Sequence, residues 1–177
     1  MKTFQERANQ LIQQGNTAHA QGQTEAAIRA YREAIDLVPA YASLHLVIGD
    51  LRFTERNYME AAEAFEQFVA FEPNHDQAWA GLGQCRLLLD EMDAAAEAFE
   101  AALAARPDNV EANYYGAILA AKAGEARTAE DRLHRALMER PSWEAQARLE
   151  PLLEPLFESS RKLGNLGREK RWWEIWK

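Results

Sequence analysis

Four prolines at a constant interval constrain this chain more than any other feature. Pro39, Pro73, Pro107 and Pro141 are each 34 residues apart. Four more columns follow the same interval, two of small residues, one of large apolar residues and one of mostly alanine: Gly15, Gly49, Gly83 and Ala117; Ala27, Ala61, Ala95 and Ala129; Tyr31, Phe65, Phe99 and Leu133; Ala34, Phe68, Ala102 and Ala136. Such a period predicts a stack of identical supersecondary units.

Each column has a mechanical role in a helix–turn–helix unit. Small residues let the two helices of a unit approach closely, and the large apolar column should fill the space toward the next unit. Proline ends the second helix, because its ring cannot continue the hydrogen-bond ladder. The turn inside each unit is predicted near Gly22, Asn57, Asp90 and Gly124. Paired helices are expected at 3–21 and 24–37, 42–54 and 58–71, 76–89 and 92–105, and 110–123 and 126–139.

These residues resemble the tetratricopeptide-repeat family. The third unit carries the resemblance best, with Trp79-Ala80-Gly81-Leu82-Gly83 followed by Ala95, Phe99, Ala102 and Pro107. The resemblance implies an all-α, right-handed α-solenoid. Its domain is expected over 1–160, with repeats at 8–41, 42–75, 76–109 and 110–143 and a capping helix at 142–160. Ser142 is the expected N-cap of that helix, and a break is expected at Glu150-Pro151.

The resemblance also implies a binding surface. First helices of such repeats line a concave groove, and here they present an apolar floor with amides at its edges. The predicted peptide-binding residues are Ile12, Asn16, His19, Leu46, Asp50, Phe53, Gln84, Leu87, Leu88, Tyr114 and Ile118. The expected function is a non-catalytic scaffold or adaptor that binds a peptide or helix of a partner protein.

Some family members grip a chaperone's carboxylate tail with Lys, Arg and Asn side chains. Only Asn16 stands at such a clamp position here, while Ile12, Val47, Gln77 and Gly81 occupy the others. A chaperone-tail adaptor is therefore not expected. Two alternatives to the adaptor remain open. One is a dedicated chaperone similar to those of type III secretion, and the other is a peripheral membrane scaffold.

Residues 161–177, which we call the basic tail, differ from the rest of the chain. They carry a net charge of +4 against −12 for residues 1–160. Trp172, Trp173, Trp176, Arg168 and Arg171 are the predicted interaction residues. Three interpretations remain open: the tail packs on its own acidic body, docks into a partner or another protomer as a homo-oligomer contact, or touches an anionic membrane surface through residues 168–177.

The sequence gives little support to other classes of function, such as nucleic-acid binding or catalysis. A net charge of −8 disfavours a nucleic-acid partner. No catalytic, cofactor-binding or metal-binding motif was recognised, so no cofactor is expected. Cys85 is interpreted as a small buried apolar residue. The glutamates of the second helices, Glu60, Glu63, Glu66, Glu97 and Glu100, predict a solvated convex face or an acidic docking surface. The absence of a signal peptide or long apolar run predicts a cytoplasmic protein.

Overall fold

A computed structural model describes residues 3–157 of the chain. Nine α-helices, one 3₁₀ turn and a short helical stretch at 154–157, with no strand, make up this part of the protein. The helices are α1 Phe4–Ala20, α2 Thr24–Leu37, α3 Ser43–Thr54, α4 Tyr58–Phe71, α5 Asp76–Leu88, α6 Met92–Ala105, α7 Val110–Lys122, α8 Ala126–Glu139 and α9 Glu144–Leu149. The eight paired helices agree with the predicted limits to within one residue at each end.

Consecutive helices pair into four antiparallel hairpins, α1–α2, α3–α4, α5–α6 and α7–α8. Each helix packs most extensively against its hairpin partner, and each hairpin then packs on the next one along the chain. Four clusters of buried apolar side chains follow one another along the stack. The all-α solenoid expected from the sequence is confirmed.

The turn inside each hairpin is set by one residue with a positive φ. These residues are Gly22, Arg56, Asp90 and Gly124, again 34 apart. The second turn lies next to Asn57, as predicted, and its positive φ falls on the preceding residue, Arg56. Asn57 instead caps α4, where its side chain accepts a hydrogen bond from the backbone N–H of Glu60.

All four turns share one hydrogen-bond pattern at the end of the first helix. In the first turn, the N–H of Gln23 donates to the carbonyl of Ala18, and the N–H of Gly22 donates to that of His19, both at 2.9 Å. The same two bonds recur after α3, α5 and α7. This pattern requires a left-handed residue, which glycine supplies without strain and Arg56 and Asp90 supply at some cost.

The glycine column lies directly under the aromatic column of the same hairpin. A Cβ built on Gly15 would lie 2.5 Å from the Tyr31 ring, and one on Gly83 would lie 2.6 Å from the Phe99 ring. The expectation that the aromatic column only fills the space toward the next repeat was therefore incomplete. Phe65 does both, since its ring also lies 3.0 Å from a Cβ built on Gly81 in the following hairpin.

The segment after α8 closes the core of the fourth hairpin. Pro141 begins the 3₁₀ turn Pro141–Trp143, so Ser142 lies inside this turn and is not the N-cap that the sequence suggested. Helix α9 ends at Leu149, because Pro151 forces Glu150 into an extended conformation. Residues 154–157 are helical again, and Leu153, Leu156 and Phe157 are buried against α7 and α8. The limits proposed at residues 160 and 161 remain a prediction, and the basic tail lies outside the described residues.

Candidate functional site

Helix α5 separates two depressions of the solenoid surface. At 100° per residue, Gln77, Gly81 and Gln84 lie on one side of this helix. Trp79, Leu82 and Arg86 lie on the opposite side. The first set lines a cleft formed by the first helices α3, α5 and α7, which we call the concave cleft. The second set lines a groove between the second helices α4 and α6, which we call the convex groove.

The concave cleft spans three hairpins and encloses about 310 Å³. Phe53, Phe65, Ala80 and Val110 give it apolar surface. Polar and charged groups surround that surface: Asp50, Gln77, Gln84, Arg106, Glu111 and Arg140. An apolar floor with a few polar groups is typical of peptide and ligand sites, whose volumes are about 300–1,000 Å³.

Two arginines at equivalent positions border this cleft and are held by carboxylates. Arg106 Nε lies 2.9 Å from Asp76 Oδ2, and Arg140 donates to Glu111 Oε1 at 2.8 Å. The Arg140 guanidinium also lies 4.5 Å from the centre of the Trp143 ring. These contacts hold both guanidinium groups at the ends of α6 and α8, so they can form the walls of the cleft without being rearranged.

Asp50 contributes the carboxylate on the opposite wall. Desolvation raises the pKa of Asp50 above its ordinary value, and the electrostatic effect of His75 opposes the rise. His75 is itself the N-cap of α5, and its Nδ1 accepts a hydrogen bond from the N–H of Ala78 at 3.1 Å. Polar groups therefore stand on this wall as well as on the wall that carries the two arginines.

Three of the predicted binding residues meet in this cleft. Asp50, Phe53 and Gln84 line it together, and the Phe53 ring is held edge-on against Tyr58 at a centroid distance of 5.6 Å. Three others are half-buried and pack against the apolar clusters between hairpins: Leu46, Leu87 and Ile118. Their side chains contribute first to stacking of the hairpins.

Tyr114 is a predicted binding residue that the structure places in the core. Its side chain is only 2% exposed, and its ring meets those of Trp143 and Tyr115 at centroid distances of 5.0 and 5.2 Å. Trp143 covers it because the 3₁₀ turn folds the chain back across α7. Tyr114 is therefore part of the core of the fourth hairpin and does not line a groove.

The remaining predicted residues lie away from the concave cleft. Ile12 is half-buried in the first cluster, and Asn16 accepts a hydrogen bond from the Tyr31 hydroxyl at 2.9 Å. His19 is exposed near the end of α1. Leu88 is 53% exposed at the end of α5. Trp172, Trp173, Trp176, Arg168 and Arg171 lie outside the described residues.

Sequence reasoning missed Arg106 and Arg140. Both precede a proline of the 34-residue column, at the position where the chain leaves a second helix and returns toward the concave side. The first two repeats have Val38 and Glu72 there. The 34-residue period already places Arg106 and Arg140 at equivalent positions. Only the positions of the helix ends show that both side chains border the concave cleft.

The convex groove is larger, at about 480 Å³. Its floor is apolar, with Val69, Ala70, Trp79, Leu82 and the alanines Ala94, Ala98 and Ala101. Glu66, Arg86 and Glu97 stand at its rim. Arg86 is bound to Glu66 and, at 2.5 Å, to Glu91.

Cys85 lies in the core below this groove. Its side chain is fully buried, as the sequence suggested, and burial raises the pKa of the thiol to about 12. A neutral, enclosed thiol is a poor nucleophile. Among residues 3–157, no cluster of three or more His, Cys, Asp and Glu side chains could hold a metal ion, and no helix is long and apolar enough to cross a membrane.

Comparison with solved structures shows what this fold is similar to. A MamA protein superimposes with a TM-score of 0.71 at 19% identity, covering 93% of this chain and 99% of that one. YrrB, described as a TPR protein with an unusual peptide-binding site, has a TM-score of 0.69 at 18% identity, covering 84% of this chain and 76% of that one. The first TPR of Spaghetti (RPAP3), solved with an HSP90 peptide, has a TM-score of 0.59 at 22% identity, covering 68% and 95%.

Sequence comparison identifies the family to which the chain belongs. The general transcriptional corepressor trfA of Dictyostelium discoideum is 28% identical over 106 residues, which is 59% of this chain but only 8% of the corepressor. Two family models, both of tetratricopeptide repeats, match residues 15–55 and 46–110, and together they span more than half of the chain. The chain therefore belongs to the tetratricopeptide-repeat family.

Proposed function

We propose that this protein is a non-catalytic scaffold that binds an extended peptide or a helix of a partner protein in the concave cleft. The observation that carries the proposal is the cleft itself, in which three first helices surround an apolar floor with fixed polar groups on both sides. Family membership agrees with a role in protein interaction. YrrB is described as having a peptide-binding site, and Spaghetti was solved with a bound peptide. These are properties of those proteins, and they are a reason to test peptide binding here.

The geometry favours a particular kind of ligand. Phe53, Phe65 and Val110 offer a site for one apolar anchor side chain. The amides of Gln77 and Gln84 on α5 can both donate and accept hydrogen bonds, as a peptide backbone requires. Arg106 and Arg140 are already bound to carboxylates, so we expect an apolar anchor to contribute more to affinity than an acidic one.

A displayed peptide library selected on the full chain tests this proposal. Selected peptides should share one apolar anchor position, and their affinity should fall at least tenfold, or about 1.4 kcal/mol, in Gln77→Arg, as measured by titration calorimetry. Gln77 is exposed, so the change obstructs the cleft without disturbing the core. Gln67→Arg is the matched control, because Gln67 is an exposed glutamine on α4 outside the cleft.

Unchanged binding in Gln77→Arg, with loss in Gln67→Arg, would move the site to the convex side. Failure to select any peptide would overturn the proposal. The role in assembly of a larger complex, the secretion-chaperone and membrane-scaffold alternatives, and the cytoplasmic location all stay predictions.

A further inference from the structure

The second helices of the two central hairpins have an unusual charge composition. Helix α4 carries Glu60, Glu63 and Glu66, and helix α6 carries Asp93, Glu97 and Glu100, and neither helix contains a Lys or Arg. The second helices of the outer hairpins, α2 and α8, mix acidic residues with arginines. The convex groove between α4 and α6 therefore lies between two purely acidic helices.

Part of this negative charge has no partner among residues 3–157. Glu66 is bound to Arg86, and Glu100 to Arg132. Glu97 lines the groove, and Asp93 lies one turn earlier on α6; neither forms an ion pair within the described part of the chain. Glu63 lines a separate depression of α4, together with Arg32 and His45. Below the carboxylates, the alanines of α6 leave an apolar floor with about 480 Å³ of space. The groove thus suits a ligand with large apolar side chains flanked by positive charge.

We propose that residues 168–177 of this same chain dock in the convex groove. This segment, Arg168-Glu169-Lys170-Arg171-Trp172-Trp173-Glu174-Ile175-Trp176-Lys177, joins three tryptophans and one isoleucine to four basic residues. Tryptophan and arginine are the residues that most often anchor interfaces. The alanine floor of the groove matches the apolar tryptophans, and Glu97 and Asp93 carry the charge opposite to that of the basic residues.

The segment can reach the groove from where the described chain stops. Phe157 packs with Leu133 and Leu137 of α8. Helix α8 packs on α7, and α7 packs on α6. Packed helices lie about 8–10 Å apart, so α6, at the edge of the groove, is at most on the order of 20 Å from α8. Fourteen residues lie between Phe157 and Trp172, and this stretch can span up to about 50 Å when extended. Docking within one chain is therefore geometrically possible without rearranging the hairpins.

This inference is independent of the peptide site proposed above, because the two depressions lie on opposite sides of α5. A docked segment would cover the convex groove and leave the concave cleft free. Docking would also neutralise part of the acidic convex surface.

Amide hydrogen exchange of the full chain, followed by mass spectrometry of peptides from 168–177, tests the proposal. We expect exchange at least tenfold slower than in the same segment as a free synthetic peptide. Glu97→Lys, which reverses the unpaired charge at the groove, should accelerate exchange at least threefold. High salt should do the same, because partly exposed charges are screened.

Two matched variants make the same charge change elsewhere. Asp36→Lys lies on the exposed side of α2 and should leave exchange of the segment unchanged. Asp50→Lys reverses a charge in the concave cleft. Faster exchange of the segment in Asp50→Lys, without faster exchange in Glu97→Lys, would overturn the proposal. So would exchange as fast as in the free peptide, or protection that disappears on dilution, because the latter means docking between copies. Circular dichroism of each variant checks that the helices are intact.

Discussion

At the residue scale, the hairpins depend on a size match between two columns 16 residues apart. Gly15, Gly49 and Gly83 face the rings of Tyr31, Phe65 and Phe99 with no room for a methyl group. The fourth hairpin has Ala117 with Leu133, in which the small residue is larger and the large residue is smaller. Both of these residues are fully buried, so this pair also lies in the core.

This match predicts a compensated double substitution. Gly83→Ala should lower the free energy of unfolding by up to about 2 kcal/mol, because overpacking against Phe99 costs about 1–3 kcal/mol and the gain in helix propensity returns about 1 kcal/mol. Adding Phe99→Leu recreates the fourth-repeat pair. Urea unfolding should then give a double variant at least about 1 kcal/mol more stable than the sum of the two single effects. Additive effects would show that the two columns do not compensate each other.

At the scale of elements, one buried arginine ties three helices together. Arg52 on α3 is only 6% exposed. It donates to Glu25 on α2 and to Glu55 directly after α3, and its Nε lies 3.0 Å from Glu60 on α4. The pKa of Glu25 is lowered chiefly by the hydrogen bond with Arg52. The pKa of Glu60 is lowered chiefly by the hydrogen bond with Asn57, with Arg32 and Arg52 adding to the effect.

This arrangement predicts an acid-sensitive contribution to stability. A carboxylate whose folded pKa lies below its unfolded value stabilises the fold above that unfolded value, near pH 4.5 for glutamate, and stops doing so as the pH falls through the folded pKa. The free energy of unfolding should therefore fall as the pH is lowered from about 5 to 3. In Arg52→Met this fall should be shallower, since the pKa of Glu25 returns toward its ordinary value.

Urea unfolding at a series of pH values measures both slopes. Arg127→Met is the matched control, because Arg127 is an exposed arginine on α8 that forms no ion pair among residues 3–157. The fall in its free energy of unfolding between about pH 5 and pH 3 should equal that of the unmodified chain. An equal slope in Arg52→Met would mean that this arginine does not lower the pKa of Glu25 or Glu60 in the folded state.

At the scale of the whole molecule, each hairpin contacts chiefly its neighbours. In such a stack, stability is a sum of terms for single units and for adjacent pairs. The fourth hairpin has no fifth unit among the described residues, and Leu153, Leu156 and Phe157 cover its outer side instead. Loss of this cover should therefore destabilise the stack from one end.

Leu153→Ala tests that expectation. Leu153 is fully buried, so its truncation should cost about 2–5 kcal/mol. Hydrogen exchange should accelerate first in α7 and α8, while α1 and α2 keep their protection. Leu152→Ala is the control, because the neighbouring Leu152 is 39% exposed and its truncation should cost less than about 1 kcal/mol. Uniform acceleration across all helices would indicate a single cooperative unit.

The amino-acid sequence alone determined the helices and the way they pair. Helix limits follow from local patterns, namely the prolines, the small residues and the apolar period, and these act over a few residues along the chain. The same local information did not identify Arg56 as the left-handed residue of the second turn, because the neighbouring asparagine favours both a left-handed turn and an N-cap.

Only the tertiary structure decided which side chains are available to a ligand. It buried Tyr114 under Trp143, brought Arg106 and Arg140 to the concave cleft, and placed a second, acidic-walled groove on the other side of α5. Exposure and clefts depend on side chains that lie far apart in the chain and meet only when hairpins stack. A repeat period determines that the units stack, but the residues that differ between units determine what the stacked surface can bind.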